Sequence, residues 1–253
     1  MNETPKDQDA SRTHHAPCEA IPLQAFDPLQ DYSVAERRLP HWSQRGTIAF
    51  ITWRTWDSMP APVIAAWLTE RDALLRRHGI EPSRADWKAC LQTLPKSVAR
   101  EVTGQLFARW NDRLDALHGA CVLRPPEIAQ VVADSLCRFQ GKRYILTDYV
   151  IMPNHVHLLA AFGDEDAMLR QCDSWKHYTA REINRALGRK GRFWQQNGFD
   201  HLVRSAENFD HYRRYIADNP VRARLKPGEF IFECKDLRSL DELPGAAPPS
   251  RGT

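Results

Sequence analysis

Two apolar runs, Arg143–Met152 and His155–Phe162, meet at a single Pro-Asn dipeptide, and this constrains the chain more than any other feature. Both runs are short and rich in β-branched and aromatic residues. Pro153-Asn154 is turn chemistry, so the runs are expected to fold back on each other as an antiparallel hairpin. Alternate residues of a strand share a face and rise about 3.3 Å each, which sets the backbones of His155 and His157 about 6.6 Å apart on one side. Their ring nitrogens can converge on one divalent ion while Val156 and Leu158 point into a core. Taken alone, such a pair is more often structural than ligating, and no cysteine lies at zinc-ligand spacing. A site would need a third ligand and a reacting group from another element.

The chain around the hairpin supplies candidates for a sheet and its cover. Residues 1–40 are polar and proline-punctuated, and are expected to form a flexible leader. Gly46–Trp53 carries a strand signature, and Asp57–Pro62 breaks it. Val63–His78, Asp86–Thr93 and Ser97–His118 have helical periodicity, the last with Val98, Val102, Leu106, Phe107, Trp110, Leu114 and Leu117 at spacings of three and four. This block, about 57–122, reads as a helical insertion whose simplest role is packing. Pro125–Phe139 opens with prolines and an acid and predicts a helix. A second helix is expected over Glu165–Leu187, a short strand over Asp200–Arg204, and a third helix from Glu207 to Asn219, stopped by Pro220. The order strand, helix, strand, strand, helix, strand suits an α+β, ferredoxin-like antiparallel sheet with helices on one face, the third helix being extra. One domain is expected over 41–235, followed by a flexible tail over 236–253.

Charge points toward a partner. The net formal charge is only +3, yet the segment from Arg138 to Lys226 holds 16 Lys and Arg against 10 Asp and Glu. A basic segment that coincides with the histidine pair favours an anionic partner, commonly nucleic acid. Six scattered cysteines without a Cys-x-x-Cys pattern fit reduced thiols. With no apolar run near the ~20 residues of a membrane span and a polar, partly acidic N-terminus unlike a presequence, a cytoplasmic location is expected.

The third helix supplies the second half of a site. Tyr215 and Asn219 are four residues apart and share a helical face. Beside the hairpin, that face would bring the Asn219 amide to a metal and the Tyr215 phenol to a phosphate. A phenol with a pKa near 10 needs a metal or cationic neighbours to act as a nucleophile at neutral pH. Arg213, Arg214, Arg222 and Arg224 surround it in sequence, and Arg189, Lys190 and Arg192 form a basic loop after the second helix.

Met152-Pro-Asn-His-Val-His-Leu-Leu159, Trp175-Lys176, Phe193-Trp194-Gln195, Phe199-Asp-His-Leu-Val-Arg204 and Tyr215-Ile-Ala-Asp-Asn-Pro-Val221 occur in that order. As a set they resemble the REP-associated tyrosine transposases, single-tyrosine members of the HUH endonuclease superfamily. The likeness covers about Gly46–Trp53 and Pro125–Leu225. It implies a metal-dependent single-strand DNA endonuclease and strand transferase, with DNA transposition or recombination as its setting. His155 and His157 match the family's metal-binding pair. Tyr215 matches the nucleophile, which forms a 5′-phosphotyrosine link and releases a 3′-hydroxyl. Asn219 falls where relatives place a further polar ligand, often Gln. Mg²⁺ or Mn²⁺ would suit these ligands. The implied partner is a single-stranded DNA hairpin, a REP-like palindrome, with Arg189, Lys190, Arg192, Arg213, Arg214 and Arg222 on its backbone.

Trp175, Phe193 and Trp194 could stack on unpaired bases, although core packing is the simpler role. The small members of the family have no counterpart of the insertion or the leader. Tyr178 and Tyr212 are rival nucleophiles. Many single-tyrosine transposases act as dimers and REP-associated members can act as monomers, so either state is compatible. Two other readings compete: a hairpin-binding protein that no longer cuts, and a zinc hydrolase unrelated to DNA.

Overall fold

The computed structural model describes residues 33–36, 40–43, 47–196 and 199–235. Most of the expected leader and the whole expected tail lie outside these residues. A two-stranded hairpin, β1 (Ser33–Glu36) and β2 (Pro40–Ser43), straddles the boundary between the expected leader and the expected domain. Then come β3 (Ile48–Arg54), α1 (Ala61–Arg77), α2 (Trp87–Thr93), α3 (Lys96–Asp115), α4 (Pro126–Cys137), β4 (Tyr144–Met152) and β5 (His155–Phe162). The chain continues through α5 (Glu165–Ala186), β6 (Phe199–Leu202), α6 (Ala206–Arg222) and β7 (Ile231–Cys234).

The main sheet has the order β6-β3-β5-β4-β7, with every neighbouring pair antiparallel. Its first four strands and the helices α4 and α5 make the expected ferredoxin-like arrangement, and β7 extends the β4 edge. Pro153 and Asn154 form the two-residue turn between β4 and β5, with Met152 opposite His155. β5 runs down the middle of the sheet and is buried along its whole length.

Alternation sorts the strands into two faces. Ala49, Ile51, Trp53, Val156, Leu158 and Ala160 join α4 and α5 in the larger core. Ile48, Phe50, Val150, Met152, Leu159 and Ala161 face the other way and are covered by Phe209 and Ile216 of α6, with Phe107 of α3 alongside. A bulge between Leu146 and Asp148 shifts the register of β4. The extra residue lets Tyr144 and Leu146 share a face with Tyr149 and Ile151, and it turns Asp148 toward α6. There Asp148, fully buried, accepts a hydrogen bond from Arg213 Nε at 3.0 Å, fastening α6 to the sheet.

Trp175 is the keystone of the α5 face. It is buried, stacks with Trp53 at 5.8 Å between ring centroids, meets Tyr144 edge-on, and donates from Nε1 to the Ser135 carbonyl of α4. Trp194 packs edge-on against Trp53 and donates to Thr179 Oγ1. Phe193 is buried as well. These aromatics are core, not base platforms. Replacing Trp175 with alanine is expected to cost about 3–5 kcal/mol of stability, read as a lower urea midpoint. A loss under about 1 kcal/mol would mean that the two helices do not depend on it.

The insertion has a small core of its own, Leu74, Leu75, Ile80 and Val102, with Trp87 and Leu91 packed against it. α6 departs from expectation at its end, because Pro220 lies inside the helix, which continues to Arg222. Proline removes one N–H in the final turn without blocking the turn itself. Closure comes from Arg224, held at φ 55°, with the Leu225 and Arg224 amides donating to the carbonyls of Pro220 and Val221.

Candidate metal and nucleophile site

His155 and His157 lie on the α6 face of β5, and neither is exposed. Each is oriented through its Nδ1. Asn154 Oδ1 lies 2.7 Å from Nδ1 of His155, and the Asn154 amide donates to the His118 carbonyl, which fixes its oxygen toward the imidazole. Thr52 Oγ1, from the residue paired with His157 across β3, lies 2.6 Å from that ring's Nδ1. Both Nε2 atoms are thereby left free and aimed into the space beneath α6, as outer partners do for metal-binding histidines.

The third group is Asp115, at the end of α3. Its Oδ1 is 3.6 Å from His155 Nε2, and ligand atoms of Asp115, His155 and His157 lie within 4.8 Å of one another. Asp115 sits at a helix C-terminus, where the macrodipole disfavours an anion. Beyond the helix the chain makes a close approach to the residues just after β3. Gly119 has φ 87°, and a Cβ there would meet the Asp57 carbonyl oxygen at 2.7 Å. Asp57 Oδ2 in turn accepts from the Ala120 amide.

Helix α6 brings the rest. Asn219 is fully buried and donates from Nδ2 to Asp115 Oδ1 at 3.1 Å. The Tyr215 ring stands edge-on to His157 at 5.2 Å and to Phe50 at 5.8 Å. Arg222 bonds Asp112, approaches Asp115 Oδ2 at 3.5 Å and lies over the Tyr215 ring. Asp115 Oδ2, both histidine Nε2 atoms, Tyr215 Oη and Asn219 Oδ1 are all buried without a hydrogen-bond partner. Buried polar atoms are normally satisfied, so this concentration at one point needs a reason. The carboxylate of Asp115 and the imidazole nitrogens of His155 and His157 form a buried cluster that could hold a metal ion.

Burial sets the protonation states. It pushes the His155 pKa down to about 3 and His157 well below its usual value, so both are neutral and ready to ligate. It raises the Asp115 carboxyl to about 6, against the pull of Asn219 and Arg222. Burial, with Asp115 nearby, also raises the Tyr215 phenol, while Arg222 and Asn219 pull it down. A stability consequence follows for metal-free protein. Below pH ~6.5 the unfolded histidines take protons that the folded ones refuse, so stability falls with pH. Asp115 works the other way, because its folded carboxyl takes a proton first. Between pH 7 and pH 5 the two histidines lower stability and Asp115 raises it, and the net effect is a loss. Melting curves between these pH values test this, and a midpoint that does not fall on acidification would contradict it.

The remaining candidates are spread more widely. Arg213 is engaged with Asp148, and Arg214 is exposed on α6. Arg189, Lys190 and Arg192 line a cavity on the α5 side of the sheet. Tyr178 lies on α5, across the sheet from the histidines. Tyr212 is stacked flat on Phe50 at 4.4 Å, and burial raises its pKa to about 12. Of the three tyrosines, Tyr215 is the one in ring contact with the histidine pair. Asp115 escaped the sequence reading. The only trace is an acid continuing the helical line Phe107, Asn111, Asp115 beside an apolar stripe.

Residues 108–219 match the family described as "Transposase IS200 like", a stretch that includes Asp115, both histidines, Tyr215 and Asn219. The resemblance drawn from the sequence is borne out at this level: this part of the chain is similar to the IS200-like transposases. No curated protein matches the sequence. One solved structure, described as "Structure of the REP associates tyrosine transposase bound to a REP hairpin", aligns with 81% of this chain and 96% of its own, at 15% identity and a TM-score of 0.34. So loose an overlap bears on neither fold nor function here. Among the described residues, no helix is long and apolar enough to cross a membrane.

Proposed function

We propose that the protein is a metal-dependent single-strand DNA endonuclease and strand transferase of the REP-associated type, cutting at or near DNA hairpins through a 5′-phosphotyrosine intermediate. The observation that carries this reading is the edge-on approach of Tyr215 to His157, with Asp115, His155 and Asn219 around the same point. His155, His157, Asp115 and Asn219 would hold Mg²⁺ or Mn²⁺, which when bound supplies positive charge to the phosphodiester oxygens.

The chain's own residues do the rest. Tyr215 Oη attacks phosphorus, the phenol–phosphorus bond forms, the bond to the 3′-oxygen breaks, and the proton lost by the phenol ends on the released 3′-hydroxyl. One phosphodiester replaces another, so joining is the same step reversed and needs no nucleotide cofactor. Arg222, beside the Tyr215 ring, favours the phenolate and offers a bidentate donor to the phosphate. Asn219 orients Asp115 through its amide hydrogen. Arg189, Lys190 and Arg192 contact the DNA backbone, and Arg214, exposed on α6, can do the same. Arg213 serves by holding α6 in place.

The experiment is incubation of the protein with labelled hairpin oligonucleotides and Mn²⁺ or Mg²⁺, followed by denaturing gels. A covalent protein–DNA band that vanishes with chelator is expected. Hairpin binding without an adduct under any metal would reduce the protein to a binder.

A further inference from the structure

At the same end of the sheet as His155, but on the α5 side, lies a cavity of about 320 Å³. Its walls are the end of β3 and the loop that follows α5. Thr55 donates its amide hydrogen to the Asn154 carbonyl, so the inner wall is tied directly to the turn that presents His155. The Trp56 amide donates to the Phe193 carbonyl, and the Gln195 amide donates to the Arg54 carbonyl, which holds the loop against the strand. Asn184 closes the loop back on α5 by donating to the Gly191 carbonyl at 3.0 Å. The frame is therefore built from backbone pairing.

The side chains it displays are unusual in combination. Trp56 is half exposed, whereas Trp53, Trp175 and Trp194 are buried in the core behind it. Arg192 lies over the Trp56 ring, its guanidinium 4.2 Å from the ring centroid. Arg189 and Lys190 line the same cavity. The Thr55 hydroxyl on the inner wall is buried without a partner. The one carboxylate in the lining, Asp57, is already occupied by the Ala120 amide. An exposed indole ringed by cations is the chemistry of a base stacked on an aromatic with its phosphate held nearby.

We propose that this cavity is a subsite for one unpaired nucleotide of the DNA strand entering the Tyr215 site, its base stacked on Trp56 and its phosphate held by Arg189, Lys190 and Arg192. This rests on the reading of the protein as acting on single-stranded DNA. The strand would round the end of the sheet at Arg54 and Asn154, passing from the α5 side to the histidine side. Hairpins with a short unpaired flank are therefore distinguished from blunt ones by Trp56.

The test is anisotropy with labelled hairpins, flanked and blunt, in chelator so that binding alone is read. Wild-type protein is expected to prefer the flanked hairpin. Trp56→Ala should weaken the flanked complex about tenfold and leave the blunt one unchanged, while Trp56→Phe keeps most of the preference. Arg189→Ala with Lys190→Ala should flatten the salt dependence of flanked binding. A flank carrying 5-iodouracil should photo-crosslink to the peptide containing Trp56. Trp56 lies outside the core, and unchanged melting of its variants confirms that folding is intact. Equal loss on both hairpins, no loss, a crosslink elsewhere, or displacement of the flank by an equal concentration of free thymidine monophosphate would overturn the proposal. Flank preference through Trp56 without any covalent adduct would keep this subsite and remove the nuclease reading. An adduct with a silent Trp56→Ala would do the reverse.

Discussion

Replacing Tyr215 with phenylalanine is expected to abolish the covalent protein–DNA adduct, lowering cleavage at least about 10³-fold, or about 4 kcal/mol of barrier. The substitution removes one oxygen and leaves the ring contacts to His157 and Phe50. That oxygen is buried without a partner, so no native hydrogen bond is lost. Stability should stay the same or rise slightly, and hairpin affinity should remain near that of the wild type. An adduct that survives would move the nucleophile to Tyr212, which shares the helix and the face. Tyr178, on the far side of the sheet, would still be excluded. Adduct loss with collapse of the fold would count against the assignment as well, because the site would then depend on the phenol for packing.

Asp115→Asn is the second large effect. The amide keeps the shape and can still pair with Asn219, but the negative charge is gone. Mn²⁺ affinity should fall about 100-fold, close to 3 kcal/mol, measured by calorimetry or by the loss of the metal-dependent rise in melting temperature. Metal-free protein should move the other way. Asp115 has a carboxyl pKa near 6 in the folded chain, so at pH 7.5 its buried charge costs stability that asparagine does not. The variant should be about 1–2 kcal/mol more stable without metal, after allowing for the lost pairing with Arg222. Undiminished Mn²⁺ affinity would show that Asp115 is not a ligand. Lower stability without metal would make it an ordinary ion-pair partner of Arg222.

Period-two alternation made the histidine face legible, because a strand offers only two faces and Val156 and Leu158 claim one for the core. The order of strands and helices followed from turn chemistry and helical spacing, and it led to the ferredoxin-like sheet. Tyr215 and Asn219 could be paired from their four-residue spacing alone. Asp115 could not be found this way. It lies 40 residues from His155, inside an insertion, and its meeting with the histidines depends on how a whole helix docks. β7 is four residues long and weakly buried, and it leaves almost no pattern. Pro220 misled for a local reason. Its penalty falls where a helix is about to end, so the chain continues one more turn into a left-handed cap at Arg224. Trp56, unlike the tryptophans near it, is set apart only by exposure, which periodicity does not report.

Because β5 is the middle strand, His155 and His157 are clamped by ladders on both sides and can shift only if the sheet itself opens. The opposite walls are different in kind. Asp115 arrives on α3 and Tyr215 on α6, and each helix is attached by side chains and a few ion pairs. The site is therefore a vice with one fixed jaw and two sliding ones. On the proposed reading, a phosphodiester would reach the enclosed phenol oxygen once one of these helices draws back, and substitutions along the α3–α6 seam, such as at Asp112 or Arg222, are expected to change how fast that happens. Amide exchange should reveal this division directly, slow along β5 and faster at the end of α3.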